Sequence, residues 1–183
     1  MMAGCDRQSA EPAQPPTQTG ESTGADAPAE LTGTLDRDFA GSDMPEMELT
    51  DPGGATLALS DTRGTPVLLN LWATWCAPCV VEMPLLDTLA GELGDSVQVL
   101  TVSEDMRGAE VVAPFFAENG YENLPQWLDP QNDLAFSYGG GAALPLTVMY
   151  DAEGKEVWRM VGGYHWDSAE ARELVAEALP GGG

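Results

Sequence analysis

Cys76 and Cys79, separated by two residues in the run Trp75-Cys76-Ala77-Pro78-Cys79, are the side chains of this sequence best suited to chemistry. They follow an apolar run, Val67 to Trp72, that reads as a buried strand, so the pattern places a strand-to-helix turn at the first thiol. A cysteine at a helix start lies beside unpaired backbone N–H groups and the positive end of the helix dipole, and both stabilise a thiolate. Thiolate is the reactive form, and thiols in such motifs titrate at about 3.5 to 7.5 rather than about 8.5. The pair therefore predicts a dithiol redox centre. Cys76 is expected to be the exposed nucleophile that attacks a disulfide and forms a mixed disulfide. Cys79, one turn deeper, is expected to resolve it, with a thiol that is more buried, higher in pKa and in need of a base.

Two other uses of the pair compete with this one. A structural zinc site needs four ligands, and the chain has three cysteines and one histidine, His165, so no metal site is expected. A purely structural disulfide would rarely need a flanking tryptophan or a strand-to-helix turn. Glu82 falls three residues after Cys79 on the same helix face, where its carboxylate could exchange a proton with the Cys79 thiol or simply be solvated. His165 is expected at the surface or at a helix start.

The elements that must position these groups read as strands linked by helices, with a terminal hairpin. A helix runs from Ala77 to Leu93, with Met83, Leu86, Ala90 and Leu93 at helical spacing and Pro84 bending it. A buried strand follows at 97–103, a second helix at 108–119, an edge strand at 126–128 and a short helix at 131–138. Residues 146–150 and 156–161 flank the turn sequence Asp151-Ala152-Glu153-Gly154-Lys155 and read as an antiparallel hairpin, and a helix at 168–179 closes the chain. Pro145 opens a strand, where its missing N–H costs nothing, and it follows the glycine run Gly139-Gly140-Gly141. The expected fold is α/β: a central mixed sheet flanked by helices.

With 43% apolar residues over 183 positions, the chain can bury one full core. Residues 1–35 are dominated by Pro, Gln, Thr, Ser, Gly, Ala and Glu, which predicts a disordered tether; residues 36–183 are the expected domain. The net charge of −23, from 30 acidic against 7 basic residues, excludes a nucleic-acid partner because phosphates are repelled. The same charge would steer a basic client, or serve solubility alone.

The stretch from Val67 to Cys79, followed by Glu82-Met83-Pro84, resembles the membrane-anchored, periplasmic thioredoxin-like reductases of the TlpA and ResA type. The resemblance covers about residues 45–180: upstream, 48–51 and 56–61 resemble the hairpin that precedes the first core strand in those proteins, and downstream Leu144-Pro145 is similar to their cis-proline turn. It implies a thioredoxin-like fold with an N-terminal β-hairpin extension, and a periplasmic thiol-disulfide oxidoreductase. Its expected clients are proteins with cysteine pairs, such as apocytochrome c or copper-site proteins. It further implies no metal or organic cofactor, an active-site glutamate at Glu82, and recharging by a membrane-embedded thiol reductant of the DsbD or CcdA type. A cis bond at Leu144-Pro145 would expose the Leu144 backbone beside Cys76, where an extended client pairs as an added strand. Trp75, Ala77, Pro78, Leu144 and Pro145 are thus the expected client-binding residues, whereas Trp72 belongs to the core. Thioredoxins commonly keep a buried aspartate two residues before the first tryptophan of this motif; Asn70 stands there and cannot titrate.

Met2-Ala3-Gly4-Cys5 resembles the end of a bacterial lipoprotein signal, which makes Cys5 the expected lipidation site and membrane anchor. Four residues precede it, too few for an export signal, so either the start lies upstream or the chain has been trimmed. Three rivals share parts of the pattern. A cytochrome c maturation thioredoxin usually has an acidic residue after the cis-proline, where Leu146 stands. A copper-delivery protein of the Sco type spaces its cysteines by three residues, not two. A peroxide-reducing thiol enzyme needs a Thr-x-x-Cys setting and an arginine, which this motif lacks.

Overall fold

The structure is a computed structural model that describes Met1, residues 30–139 and residues 143–181. Cys5, Gly140 and Gly141 lie outside the described residues. The chain builds an eight-stranded mixed sheet. Its elements are β1 (Thr34–Asp36), β2 (Glu48–Thr50), β3 (Thr56–Ala58), β4 (Val67–Trp72), α1 (Ala77–Leu93), β5 (Gln98–Ser103), α2 (Ala109–Asn119), β6 (Trp127–Leu128), α3 (Asp133–Ser137), β7 (Leu146–Tyr150), β8 (Glu156–Val161) and α4 (Ala169–Ala176). The strand order is β1-β8-β7-β4-β5-β6-β2-β3.

β4 is central because all six of its residues are buried. It runs parallel to β5 and antiparallel to β7. A strand covered on both faces shows no polar alternation, which is why it reads as a continuous apolar run. Its side chains still divide by parity. Val67, Leu69 and Leu71 enter one apolar cluster with Leu49, Leu134 and Tyr150. Leu68 and Trp72 enter the other, with Met83 and Leu86 of α1, Phe116 of α2, Trp158 of β8 and Val175 of α4. Asn70 shares the parity of Leu68 and Trp72, so the one polar side chain of β4 faces the helix that carries the cysteines.

The expected elements form within a residue or two at most ends, and α1 continues through Pro84. Two expectations need correction. The strand expected at 56–61 stops at Ala58 and tightens into a 3-10 turn over Leu59–Thr62, where the Thr62 hydroxyl donates to the Leu59 carbonyl at 2.7 Å. The boundary between tether and domain expected after residue 35 falls inside β1, which pairs antiparallel with β8 through Thr34–Val161, Leu35–Met160 and Asp36–Arg159. Three residues are too short for any periodic signal; β1 exists because β8 offers an edge to pair with. Among the described residues, no helix is long and apolar enough to cross a membrane.

Candidate redox site

β4 delivers the chain to Trp72, and the turn Ala73-Thr74-Trp75 leads to Cys76, the N-cap of α1. Pro78 occupies the first turn of α1, where a missing N–H is tolerated. The turn is fixed from below: Asp105 accepts from the Thr74 backbone N–H at 2.9 Å and from its hydroxyl at 2.8 Å. Cys76 and Cys79 form a disulfide, with their Cα atoms 5.3 Å apart. Cys79 is fully buried, as expected. Cys76 departs from expectation, since only 5% of it is exposed. In the oxidised pair its sulfur is bonded to the buried Cys79, and both cysteines join the apolar cluster of Trp72, Ala73 and Met83.

The residues expected to bind a client lie at different depths around the motif. Trp75 is 71% exposed, Ala77 is exposed and Pro78 is half-buried. The Leu144-Pro145 peptide bond is cis, Pro145 is buried, and half-buried Leu144 packs against the cluster that holds both cysteines. Among the described residues, no backbone hydrogen bond engages Leu144, whereas the Pro145 carbonyl accepts from Gly162 N–H at 2.9 Å. Trp72 is in the core, and His165 is at the surface with its Nδ1 3.8 Å from Asp167.

Glu82 is not a solvated carboxylate. It is fully buried, one turn along α1 from Cys79. Its Oε1 accepts from Asn70 Nδ2 at 2.8 Å. Its Oε2 accepts from the Tyr164 backbone N–H at 3.0 Å and from the Trp166 indole N–H at 3.1 Å. Burial disfavours the charge and the three donors favour it; burial wins, and the pKa rises from an ordinary 4.5 to about 7. A group poised near neutrality in a closed site is suited to proton transfer.

The segment after β8 supplies two of the three donors. It is packed closely on two sides: a Cβ on Gly163 would stand 3.3 Å from the Pro78 side chain of α1 and 2.6 Å from the side chain of Leu31, which precedes β1. Trp166 is fully buried and stacks on Trp158 with ring centroids 6.4 Å apart. Neither Trp166 nor the Tyr164 N–H is marked by any spacing in the sequence. Thr147, two residues past the cis-proline, is a further unexpected participant: its hydroxyl takes the second hydrogen of Asn70 Nδ2 at 2.9 Å. The signal available for it was register, since Asn70 and Thr147 are cross-strand partners in the β4–β7 ladder. Among the described residues, no group of three or more His, Cys, Asp or Glu is placed to hold a metal ion.

A mixed sheet that presents a Cys-x-x-Cys pair at the start of a helix beside a cis-proline is a thioredoxin-like thiol-disulfide oxidoreductase. Residues 40–158 match the model of the AhpC/TSA family. The chain is 36% identical over 126 residues to the thiol-disulfide oxidoreductase ResA of Geobacillus kaustophilus, covering 67% of this chain and 69% of that protein. It is 32% identical over 122 residues to ResA of Bacillus subtilis, covering 67% of each. Among solved structures, the pneumococcal exposed lipoprotein thioredoxin Etrx1 from Streptococcus pneumoniae aligns at 35% identity and a TM-score of 0.60, over 71% of this chain and 98% of that one. A proposed thiol:disulfide interchange protein DsbE from Chlorobium tepidum aligns at 26% identity and a TM-score of 0.68, over 77% and 98%. The chain belongs to the AhpC/TSA family and, within it, to the TlpA/ResA type, and its activity is that of a protein disulfide reductase.

Proposed function

We propose that the chain reduces disulfides in exported client proteins outside the cytoplasmic membrane, with Cys76 as nucleophile, Cys79 as resolving thiol and Glu82 as the group that takes the Cys79 proton. The observation that carries this reading is the burial of Glu82 one turn from Cys79 with a pKa near 7. In the reduced protein the Cys76 thiolate attacks one sulfur of the client disulfide; that S–S bond breaks, and the departing client sulfur takes a proton. The Cys79 thiol then passes its proton to Glu82, and the resulting thiolate attacks Cys76 Sγ. The mixed disulfide breaks, the second client sulfur leaves as a thiolate, and the Cys76–Cys79 disulfide forms. Two electrons pass from the dithiol to the client, so no other redox cofactor is required.

Docking follows from the exposed Trp75 and Ala77, half-buried Pro78 and the Leu144 backbone at cis-Pro145, unpaired among the described residues, a row that suits an extended segment added as a strand. Clients of this kind carry paired cysteines, as apocytochrome c and copper-site proteins do. An oxidising compartment drains the dithiol after one turnover, so the cycle requires electrons from a membrane-embedded thiol reductant of the DsbD or CcdA type. Anchoring through lipidated Cys5 would keep the domain near that reductant; the Met2-Ala3-Gly4-Cys5 sequence and the likeness to an exposed lipoprotein support it. The deciding experiment is a Cys79→Ser variant presented with a peptide that contains a disulfide. A stable mixed disulfide through Cys76 is expected, and no adduct would overturn the assignment of nucleophile and resolver.

A further inference from the structure

We propose that Asn70 is a positioning residue whose side-chain amide rotates with the protonation of Glu82, offering Nδ2 to the carboxylate and Oδ1 to the carboxylic acid. The inference rests on the proton relay proposed for Glu82 and specifies where in the site the proton sits.

The two oxygens of Glu82 are not equivalent. Oε2 is held by the Tyr164 backbone N–H and the Trp166 indole N–H. Neither can accept a hydrogen bond, and both are fixed by the backbone and by core packing. A proton on Oε2 would displace a donor that has nowhere to go. The proton therefore enters on Oε1, whose partner is Asn70.

Asn70 as it stands suits only the ionised acid. Its Nδ2 gives one hydrogen to Glu82 Oε1 at 2.8 Å and the other to Thr147 Oγ1 at 2.9 Å, while its buried Oδ1 has no partner among the described residues. A buried polar atom left unpaired costs about 1 to 3 kcal/mol, so an orphan in a fully buried residue asks for a reason. Rotating the amide by half a turn supplies one. Oδ1 then faces the same two neighbours, and both can donate to it: the acid through its new O–H and Thr147 through its hydroxyl. Thr147 is the partner this exchange requires, because a hydroxyl is donor or acceptor as needed. Each protonation state of Glu82 keeps both contacts, and one amide atom is unpaired in either state.

The surroundings leave Asn70 as the group that responds. Glu82 is faced by Asn70 from β4 and by Tyr164 N–H and Trp166 Nε1 from the segment after β8; Thr147 of β7 adjoins it through Asn70. On its own helix the nearby titratable groups are the Cys76 and Cys79 thiols, once reduced. His165, between Tyr164 and Trp166 in sequence, is mostly exposed, with its Nδ1 3.8 Å from Asp167 Oδ1. An aspartate at position 70 could not make the exchange, since its carboxylate offers no N–H to an ionised Glu82.

The test follows the oxidised full chain by NMR from about pH 5 to 9, reading the Asn70 side-chain N–H₂ signals together with the Glu82 carboxyl carbon. The expected result is one shared midpoint near pH 7, with the Asn70 signals becoming independent of pH in Glu82→Gln. A kinetic arm uses Asn70→Asp, which sets two carboxylates side by side and should move the pH midpoint of mixed-disulfide resolution upward by about one unit or more. Asn70 signals that stay constant while the Glu82 carbon titrates would overturn the rotation and leave the relay standing. A Glu82 carbon that does not titrate in this range would overturn both. Should Asn70→Asp fail to fold, the wild-type titration decides alone.

Discussion

Trp166 donates its indole N–H to Glu82 Oε2 across 84 positions of sequence, at 3.1 Å. That bond ties the segment entering α4 to the helix that carries the cysteines. With the neighbouring Tyr164 N–H, it gives Oε2 two donors, while Oε1 accepts from Asn70 Nδ2.

Removing that donor tests how far the cage favours the charged form. Trp166→Phe keeps most of the buried area but deletes one hydrogen bond to the carboxylate. The loss in unfolding free energy should be about 1 to 3 kcal/mol at pH 8, where Glu82 is ionised, and smaller at pH 5, where it is neutral. Denaturant titrations at the two pH values measure the difference. The Glu82 midpoint should also rise, because a bond that lowered its pKa is gone.

Glu82 makes stability depend on pH with a sign opposite to that of most carboxylates. Folding raises its pKa from 4.5 to about 7, so the folded chain holds the proton more tightly than the unfolded one. Its contribution is fully present below about pH 4.5, declines from there to about pH 7, and is absent above. The separation corresponds to about 3 kcal/mol. Wild type should therefore lose about that much relative to Glu82→Gln between pH 4.5 and 8, measured as the change with pH in their stability difference. A difference that stays constant would mean that Glu82 does not titrate in this range.

Much of this site was legible because its parts are local. Cys76, Cys79, Pro78 and Glu82 share one helix, so spacing alone places them; the apolar run of β4 and the proline before β7 mark the strands around them. Asn70 could be placed on β4, but its direction became meaningful only once parity was joined to packing against α1. Trp166, the Tyr164 N–H and Thr147 were not legible as site residues. Each reaches the cage by tertiary contact: two by the close approach of the chain at Gly163, one by cross-strand register. β1 escaped for the same reason, since its partner β8 lies about 120 positions away and its own three residues carry no period.

The two thiols should differ in reactivity once the disulfide is reduced. Cys76 sits at the helix start beside the exposed Trp75 and Ala77, whereas Cys79 is enclosed. Iodoacetamide at neutral pH should modify Cys76 at least about tenfold faster than Cys79, given the lowered pKa expected at a helix N-terminus. Mass spectrometry of time points gives the ratio. Equal rates would remove the distinction between attacking and resolving thiols.

The proposed anchor is separable from the chemistry. In cells, Cys5→Ala should move the full-length protein from the membrane to the soluble fraction and lower client reduction, while the purified variant reduces a small soluble disulfide at the wild-type rate. Fractionation and the in vitro assay together check this. A variant that stays with the membrane would show that something other than Cys5 holds it there.

The most direct measurement of the central claim is the rate at which a preformed Cys76 mixed disulfide is resolved by Cys79, followed by stopped flow from about pH 5 to 9 in wild type and in Glu82→Gln. If Glu82 takes the Cys79 proton, the wild-type rate rises through a midpoint near pH 7, and Glu82→Gln loses that limb and resolves at least about tenfold more slowly at pH 7.5, in keeping with the usual contribution of a general base. Superimposable profiles for the two proteins would contradict the account.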